Sequence, residues 1–507
     1  MEEFDVVVIG GGPAGSTAGR ILSEWGYSVL LLNRPAGRQP GLAESIPPSC
    51  RKLFSFLGIL DRVDAAGFYR SRGNTVWWGD SKGRVETFAA DSDTWGYQVP
   101  RLDLDRLLLT LAEGSGARIC RDAAVRDVCL ERNEEACIEY RTSTQERASV
   151  KARFVLDCSG RAGVIARRGF RKSEPGCTTL AIAGIWRRKN GWKLEDETHT
   201  LVETHRDGWA WSVPLSTDAR YFTVMADYRN RAGARPRGLE SIYRTELEKT
   251  THFKRFLSGS ALQSPIWSCD ASLYFARKYA GPNFLLVGDA ASFIDPLSSF
   301  GVKKALMSAW IGAVAINTCL NRPGMRRAAL DFFSDREARI YASYLRRSAL
   351  YYREAAARHA HRFWTERAGL PVQAQACQFD EEELRLDPEV IAAFQALRES
   401  PSIRLQSAAN VRIEKRTGVR EREIVLEEAV VSPGLPQGAR FLGNVNLPKL
   451  LGIAGASRQV PDLFEAYNRI CPPAELPDFL GALSVLLAKK ILINKTGTVT
   501  EIPKLEN

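Results

Sequence analysis

The chain has 507 residues, 45% of them hydrophobic and 25% charged, with a formal net charge of +11, values that suit a globular enzyme of two to four domains. Its Lys and Arg are spread along the chain and mixed with Asp and Glu, which speaks against a nucleic-acid partner, and its longest apolar stretch of note, Leu306 to Leu320, is too short to span a bilayer. The ten cysteines are scattered, with no C-x-x-C and no His/Cys cluster, which argues against a zinc or iron–sulfur site, so no metal is expected and a reduced, cytoplasmic setting is.

In chain order, Val6 to Ile9 predicts a strand, Pro13 to Glu24 a helix and Ser28 to Leu32 a second strand. The N-terminal acids Glu2, Glu3 and Asp5 are unlike the basic start of a secretory leader. Between strand and helix lies Gly10-x-Gly12-x-x-Gly15. Three such glycines are a weak signal alone, but the strand–turn–helix–strand context is the one a dinucleotide requires. Gly10 permits the tight turn, Gly12 lets backbone approach a pyrophosphate, and Gly15 lets helix and strand pack closely. The helix start at Pro13 and Ala14 then faces the anion. Where an acidic residue ordinarily accepts the ribose hydroxyls, 23 residues after Gly10, the chain has Asn33 followed by Arg34; the Asn carbonyl can still accept.

Further on, Ser49 to Val63 and Asp103 to Gly114 read as helices, separated by a polar, tryptophan-bearing stretch from Gly73 to Trp95, and Arg153 to Gly160 reads as a strand. An alternating block follows (Thr179 to Trp186, Thr198 to Thr204, Trp209 to Leu215, Tyr221 to Tyr228), which suggests an antiparallel sheet laid over a cofactor. Trp209 and Trp211, two apart on a strand, share a face, and His199 and His205 read as surface polar residues. Helices rich in Tyr and Arg run from Val302 to about Arg367, with Arg326, Arg327, Arg346, Arg347, Arg353 and Arg358 assigned to solvated faces. Gln378 to Pro388 reads as an acidic linker. Beyond it come a helix (Pro388 to Glu399), a strand pair (Ile403 to Arg412 and Glu421 to Val431) and helices starting near Pro461 and Pro477, the last within an amphipathic run from Leu476 to Ile493.

Four segments in order, Gly10-x-Gly-x-x-Gly15, Val99-Pro-Arg101-Leu-Asp-Leu-Asp105, Leu156-Asp-Cys-Ser-Gly-Arg161 and Gly288-Asp289-Ala-Ala, resemble the signatures of the FAD-dependent monooxygenase and flavin-dependent halogenase superfamily over roughly residues 1–340. The resemblance implies an α/β fold. A Rossmann-type FAD-binding domain (1–75, 97–170, 270–340) would be interleaved with a mixed or antiparallel β-sheet substrate domain (76–96, 171–269). A helical extension (341–507) would follow, with a small α+β unit from about 388. It implies FAD as cofactor, Arg101 on the FAD phosphate or ribose, Asp289 on ribitol or ribose hydroxyls, Gly288 in the same turn, and Pro296 with the Ser298 to Val302 loop beside the isoalloxazine. The helix start at Gly301-Val302 would offer positive potential to reduced flavin.

Glu44-Ser-Ile-Pro-Pro48, Trp209-Ala-Trp211-Ser-Val-Pro214 and Phe293-Ile-Asp295-Pro296 are similar to the halogenase branch. That branch uses an active-site lysine shortly before a tryptophan; the matching stretch, Tyr69 to Gly79, has none, Lys52 and Lys82 lie outside it, and Arg70 and Arg72 stay protonated. Ser298 also stands at the branch's glutamate position, and Phe300 replaces a small polar residue. The expectation is therefore hydroxylation of an electron-rich aromatic ring through a flavin C4a-hydroperoxide, with Glu44 and Asp295 as acid/base candidates and Pro296 and Ser298 beside the reacting centre. No second glycine fingerprint appears, so reduction is assigned to an external flavin reductase or to NAD(P)H. The halogenase-like body without that lysine, the Asp295-Pro-Leu-Ser-Ser-Phe-Gly-Val-Lys-Lys304 run and the extension resemble flavoprotein hydroxylases acting on a peptide-bound tryptophan in tryptophylquinone biogenesis, making a peptide or small protein a candidate substrate. Alternatives are a halogenase, a small-molecule aromatic hydroxylase of natural-product biosynthesis, and a geranylgeranyl-reductase-like reducer of double bonds.

Overall fold

The computed structural model describes residues 1–34, 41, 43–79, 82–88, 94–130, 135–144, 146–227, 238–370 and 387–495. The expected linker at Gln378 to Pro388 falls outside them except for its last two residues. The chain forms two compact units, Met1–Gln373 and Ala374–Asn507.

In the first unit, Val6 to Ile9 are at most 3% exposed. Their strand, Glu2–Ile9, is flanked by parallel neighbours on both sides, Val29–Leu32 and Arg147–Asp157. A strand buried on both faces needs a continuous apolar run rather than alternation, which is what this segment supplies. The sheet has eight strands; Arg118–Cys120 extends it beyond Val29–Leu32, and Phe284–Leu286 lies parallel beside Arg147–Asp157. The latter strand stops at Asp157, short of the expected Gly160, because Ser159 leaves the extended region and Gly160 turns at φ +60°. The helix expected over Ser49 to Val63 is two helices, Ser49–Phe56 and Leu60–Ala65, broken where Gly58 takes φ +68°.

A second eight-stranded sheet carries the alternating block in the order Thr179–Arg187, Ala219–Asp227, Gly208–Pro214, Thr200–His205, Gly73–Trp77. It is antiparallel except between Thr200–His205 and Gly73–Trp77, which run parallel. One face packs on Tyr243, Leu247 and Phe253, and the other holds Trp78, Trp209 and Met225 against Tyr352, Phe363 and Trp364. A third, three-stranded sheet, Ala43–Ile46, Gly96–Pro100 and Tyr69–Ser71, carries Glu44.

Three helices follow, Gly301–Asn321, Arg326–Ala356 and Arg362–Ala368. The second packs along the first, and Tyr352 and Trp364 enter the aromatic cluster on the second sheet. For that reason the compact first unit continues to residue 373, where the sequence suggested a break near 340. Among the arginines assigned to solvated faces, Arg327, Arg353 and Arg358 are exposed, whereas Arg326, Arg346 and Arg347 are half-buried.

The second unit has its own core, built from Val390, Leu397, Val430, Tyr467, Phe479, Leu483 and Leu486 among others. The helices Pro388–Glu399, Val460–Ile470 and Leu476–Ala488 begin where proline predicted them. The hairpin differs: Arg412–Arg420 pairs with Glu423–Ser432 across a turn in which Glu421 takes φ +52°. Leu405–Ser407, expected in that hairpin, instead pairs with Leu492–Asn494.

Candidate active site

The glycine turn is set by contacts that leave no room for side chains. Gly10 takes φ +105°, and a Cβ there would lie 2.5 Å from the Cys158 carbonyl oxygen. At Gly15 a Cβ would fall 1.8 Å from the Gly10 carbonyl oxygen, so the helix rests directly on the turn. Ser16 closes it, donating its N–H to Gly12 O and its hydroxyl to Gly11 O. The helix Pro13–Glu24 has no side-chain N-cap and no acid in its first turn, and the same is true of Gly301–Asn321. Gly12, Pro13 and Ala14 from one start and Gly301 and Val302 from the other line a single cavity of about 720 Å³. Two sets of uncapped N–H groups therefore face it with the positive ends of their helices.

Arg101, at the start of Arg101–Gly114, divides its donors. Nε donates to Asp105 Oδ1 at 2.8 Å and Nη1 to Glu44 Oε1 at 3.0 Å. Nη2 is the nearest atom to the space a Gly12 side chain would fill, at 3.4 Å. The guanidinium is thus braced by two carboxylates with one edge over the glycine turn, where it can meet a phosphate. Glu44, expected as an acid/base group, is occupied as this brace; burial pushes its carboxyl up, and Asp289 and Asp105 add to that while Arg101 opposes it. Asn33 lines the cavity, and its Oδ1, with two lone pairs, accepts one hydrogen bond from Gly11 N at 3.0 Å. Arg34 is exposed at the cavity edge, as is Arg126, which sequence reasoning missed.

Asp289 lines the cavity, whereas Gly288 and Gly15 stand behind it. Gly288 takes φ +64°, and a Cβ there would meet Ala14 Cβ at 3.0 Å, so its role is to let the turn approach the first helix. Asp295 and Pro296 also reach the wall. Asp295 Oδ1 accepts from Leu297 N at 3.0 Å, and Oδ2 accepts a short hydrogen bond from the Tyr352 hydroxyl. Burial pushes the Asp295 carboxyl up, opposed by these donors and by Arg367. Ser298 is not on the wall: its hydroxyl donates to Asp295 O at 2.9 Å and accepts from Phe300 N. Its neighbour Ser299, at φ +51°, lines the cavity instead. Trp211, Phe293 and Ile294 supply apolar wall, and the Trp211 indole N–H is buried without a hydrogen-bond partner.

Among the described residues no lysine lines this cavity. In the stretch where one would matter, the Arg70 guanidinium sits 4.1 Å from the centre of the Trp95 ring, which Arg51 also approaches to 4.1 Å. His199 and His205, read as surface residues, are both buried at 3% exposure. His205, Asp207 and Glu246 bring potential metal ligands within 4.8 Å of one another, a grouping invisible in the linear spacing. The Lys249 ammonium, 2.7 Å from Asp207 and 2.8 Å from Glu246, supplies the cation there.

Two anion-ready helix starts, a braced arginine, a carboxylate on the Gly288 turn and an apolar end at Trp211 and Phe293 fit the pyrophosphate, ribityl chain and isoalloxazine of FAD. Comparison agrees: residues 3–340 match the family model described as FAD binding domain. A tryptophan 2-halogenase of Chondromyces crocatus is 28% identical over 368 residues, covering 71% of this chain and 70% of that one. The crystal structure of CmlS, a flavin-dependent halogenase, is similar with a TM-score of 0.78 at 22% identity, covering 97% of this chain and 96% of that one. QhpG, a peptidyl tryptophan dihydroxylase essential for tryptophylquinone cofactor biogenesis, is similar with a TM-score of 0.68 at 22% identity, covering 96% of this chain and 99% of that one. At such identities the two structures share the fold with this chain. Among the described residues no helix is long and apolar enough to cross a membrane.

Proposed function

From the premise that the chain belongs to the FAD binding domain family and is an FAD-dependent oxidoreductase, we propose that it is a monooxygenase that hydroxylates an electron-rich aromatic ring. The observation that carries this reading is the missing lysine: the cavity presents Arg34, Arg101 and Arg126 but no lysine, and Tyr69 to Gly79 contains none. A guanidinium stays protonated and cannot take up a halogen as an amine can.

FAD, when bound and reduced, supplies the activation of dioxygen. The chain's residues bind, orient and shield. The N–H groups of Gly12 and Ala14 with Arg101 Nη2 would hold the pyrophosphate, and Asp289 would accept from ribityl hydroxyls. The start of Gly301–Asn321 favours negative charge at the flavin pyrimidine. Trp211, Phe293 and Ile294 exclude water from one side of the reacting region. The proton lost on rearomatisation would pass to the Asp295 carboxylate, which lines the cavity and is held in place by Leu297 N and the Tyr352 hydroxyl. Glu44 and Ser298 take no part in proton transfer.

The substrate class we favour is a peptide-bound aromatic residue, with tryptophan foremost. A fold match spanning 99% of a peptidyl tryptophan dihydroxylase supports it, and the second unit, with its own core, supplies none of the described residues lining the cavity. Reducing equivalents come from an external flavin reductase, since one glycine fingerprint serves one dinucleotide. A second reading, halogenation, draws on the names of the sequence relatives and on the retained Trp209-x-Trp211-x-Val-Pro214 box.

The deciding experiment supplies reduced FAD, oxygen and either chloride or bromide with indole, phenol and tryptophan-containing peptides, and reads products by mass spectrometry. Addition of one oxygen with no halogen is the expected result. A halogenated product would reinstate the second reading.

A further inference from the structure

An ionisable residue lies buried in the first turn of Gly301–Asn321, beside Ala305 to Val314, a run apolar but for Ser308. Lys304 is 3% exposed and its side chain not at all. Its ammonium has three N–H donors, and three acceptors surround it, all from one five-residue turn. Nζ lies 2.9 Å from Gly288 O, 2.5 Å from Ser292 O and 3.5 Å from Asp289 Oδ1. One helical turn further on, Ser308 Oγ accepts from Gly288 N at 3.0 Å. Lys304 and Ser308, four apart and so on one helix face, together grip both the N–H and the C=O of Gly288. Behind them, on the next helix, stands fully buried Glu337, close enough for the Lys304 charge to act on it.

A buried ammonium costs several kcal/mol to desolvate unless its partners are well placed, so a lysine that satisfies itself on backbone carbonyls is specific to the geometry it holds. Here that geometry joins two separate cofactor-facing parts: the turn bearing Asp289 and the helix start at Gly301 and Val302. We propose that Lys304 is the positioning residue of the FAD site. It locks the Gly288–Ser292 turn onto the Gly301–Asn321 helix, fixes Asp289 through Oδ1, and places a fixed positive charge behind the bound flavin. Lys304 is not among the described residues lining the cavity and therefore acts through Asp289 and the turn. This assignment rests on the FAD site alone and holds whichever oxidation the enzyme performs.

The test is a double-mutant cycle read by FAD titration and by the midpoint potential of the bound flavin. Lys304→Met is expected to lower FAD affinity tenfold or more and to move the potential negative, because the charge that favours anionic reduced flavin is gone. Asp289→Asn lowers affinity too, and in that background Lys304→Met is expected to add less than threefold, since both act on one carboxylate. Lys304→Met removes one of the two cations that act on buried Glu337, leaving Arg336, so Lys304→Met/Glu337→Leu is measured alongside. It is expected to melt like wild type without FAD yet keep the affinity loss and the shifted potential. Restored affinity in that variant would show that the lysine serves Glu337, and strict additivity with Asp289→Asn would show that it does not act through Asp289; either overturns the proposal. Ser308→Ala, which deletes one neutral hydrogen bond to the same Gly288 amide, covers the case in which both lysine variants fail to fold. A threefold loss of affinity is expected, and an unchanged value sinks the assignment.

Discussion

Glu44 Oε1 lies 3.0 Å from Arg101 Nη1, and the guanidinium of this pair reaches to 3.4 Å from where a Gly12 side chain would begin. The carboxylate and Asp105 together aim the third guanidinium nitrogen over Gly12. An acid/base candidate thereby becomes part of the anion clamp.

Arg101→Lys follows from that division of donors. An ammonium on a flexible stem cannot meet Asp105, Glu44 and a phosphate together, and one lost charge-assisted bond is worth roughly 1.5–3 kcal/mol. FAD affinity is expected to fall about 10- to 100-fold. Glu44→Gln, whose amide oxygen can still accept from Nη1, is expected to cost only about 2- to 5-fold. Fluorescence quenching titrations decide the order. If Glu44→Gln bound FAD normally yet lost turnover, Glu44 would return as a chemical group.

Gly12→Val places side-chain atoms in the space over the turn, where the Arg101 Nη2 already lies 3.4 Å from a hypothetical Cβ. The expected outcome is a folded, colourless protein with an unchanged far-ultraviolet circular dichroism spectrum. Gly15→Ala, whose Cβ would sit 1.8 Å from Gly10 O, is expected to be expressed poorly or to melt well below wild type, separating a packing glycine from a ligand-clearance glycine.

Tyr352→Phe removes the hydroxyl that donates to Asp295 Oδ2 and helps hold down a carboxyl that burial raises. The acid limb of the kcat/KM profile is expected to move to higher pH in Tyr352→Phe and to vanish in Asp295→Asn. The sign for stability is the reverse of a salt-bridged acid. Because the folded state holds the Asp295 proton above its unfolded pKa of about 3.9, unfolding free energy falls as pH rises from there through the raised folded value. Asp295→Asn should flatten that decline; an unaltered pH–stability curve would remove Asp295 as its source.

Truncation after Gln373 ends the chain at the boundary between the two compact units. Every residue lining the FAD cavity lies at or before Ala305, so the shortened protein is expected to stay yellow. Turnover of a peptide substrate is expected to be lost while oxygen consumption with reduced FAD persists. Loss of FAD on truncation would give the second unit a structural role and withdraw the main support for a peptide substrate.

The sequence by itself determined what depends on neighbours in the chain. Gly10, Gly12 and Gly15 follow a continuous apolar strand and precede Pro13, so turn, helix start and parallel sheet could be read from spacing and backbone sterics. The helices at Pro388, Pro461 and Pro477 could be read for the same local reason. Tertiary structure decided which polar groups meet. Glu44 and Arg101 are 57 residues apart, as are Asp295 and Tyr352, and only the packing of separate strands and helices joins them. His205, Asp207, Glu246 and Lys249 come together across a sheet and a helix. Burial then fixed their roles, because desolvation leaves a charged group only the partners its fold has placed beside it. Lys304 is the clearest instance: in the sequence it is one of two adjacent lysines, and in the fold it is a buried ammonium that donates to two carbonyls of the Gly288–Ser292 turn and lies 3.5 Å from the Asp289 carboxylate.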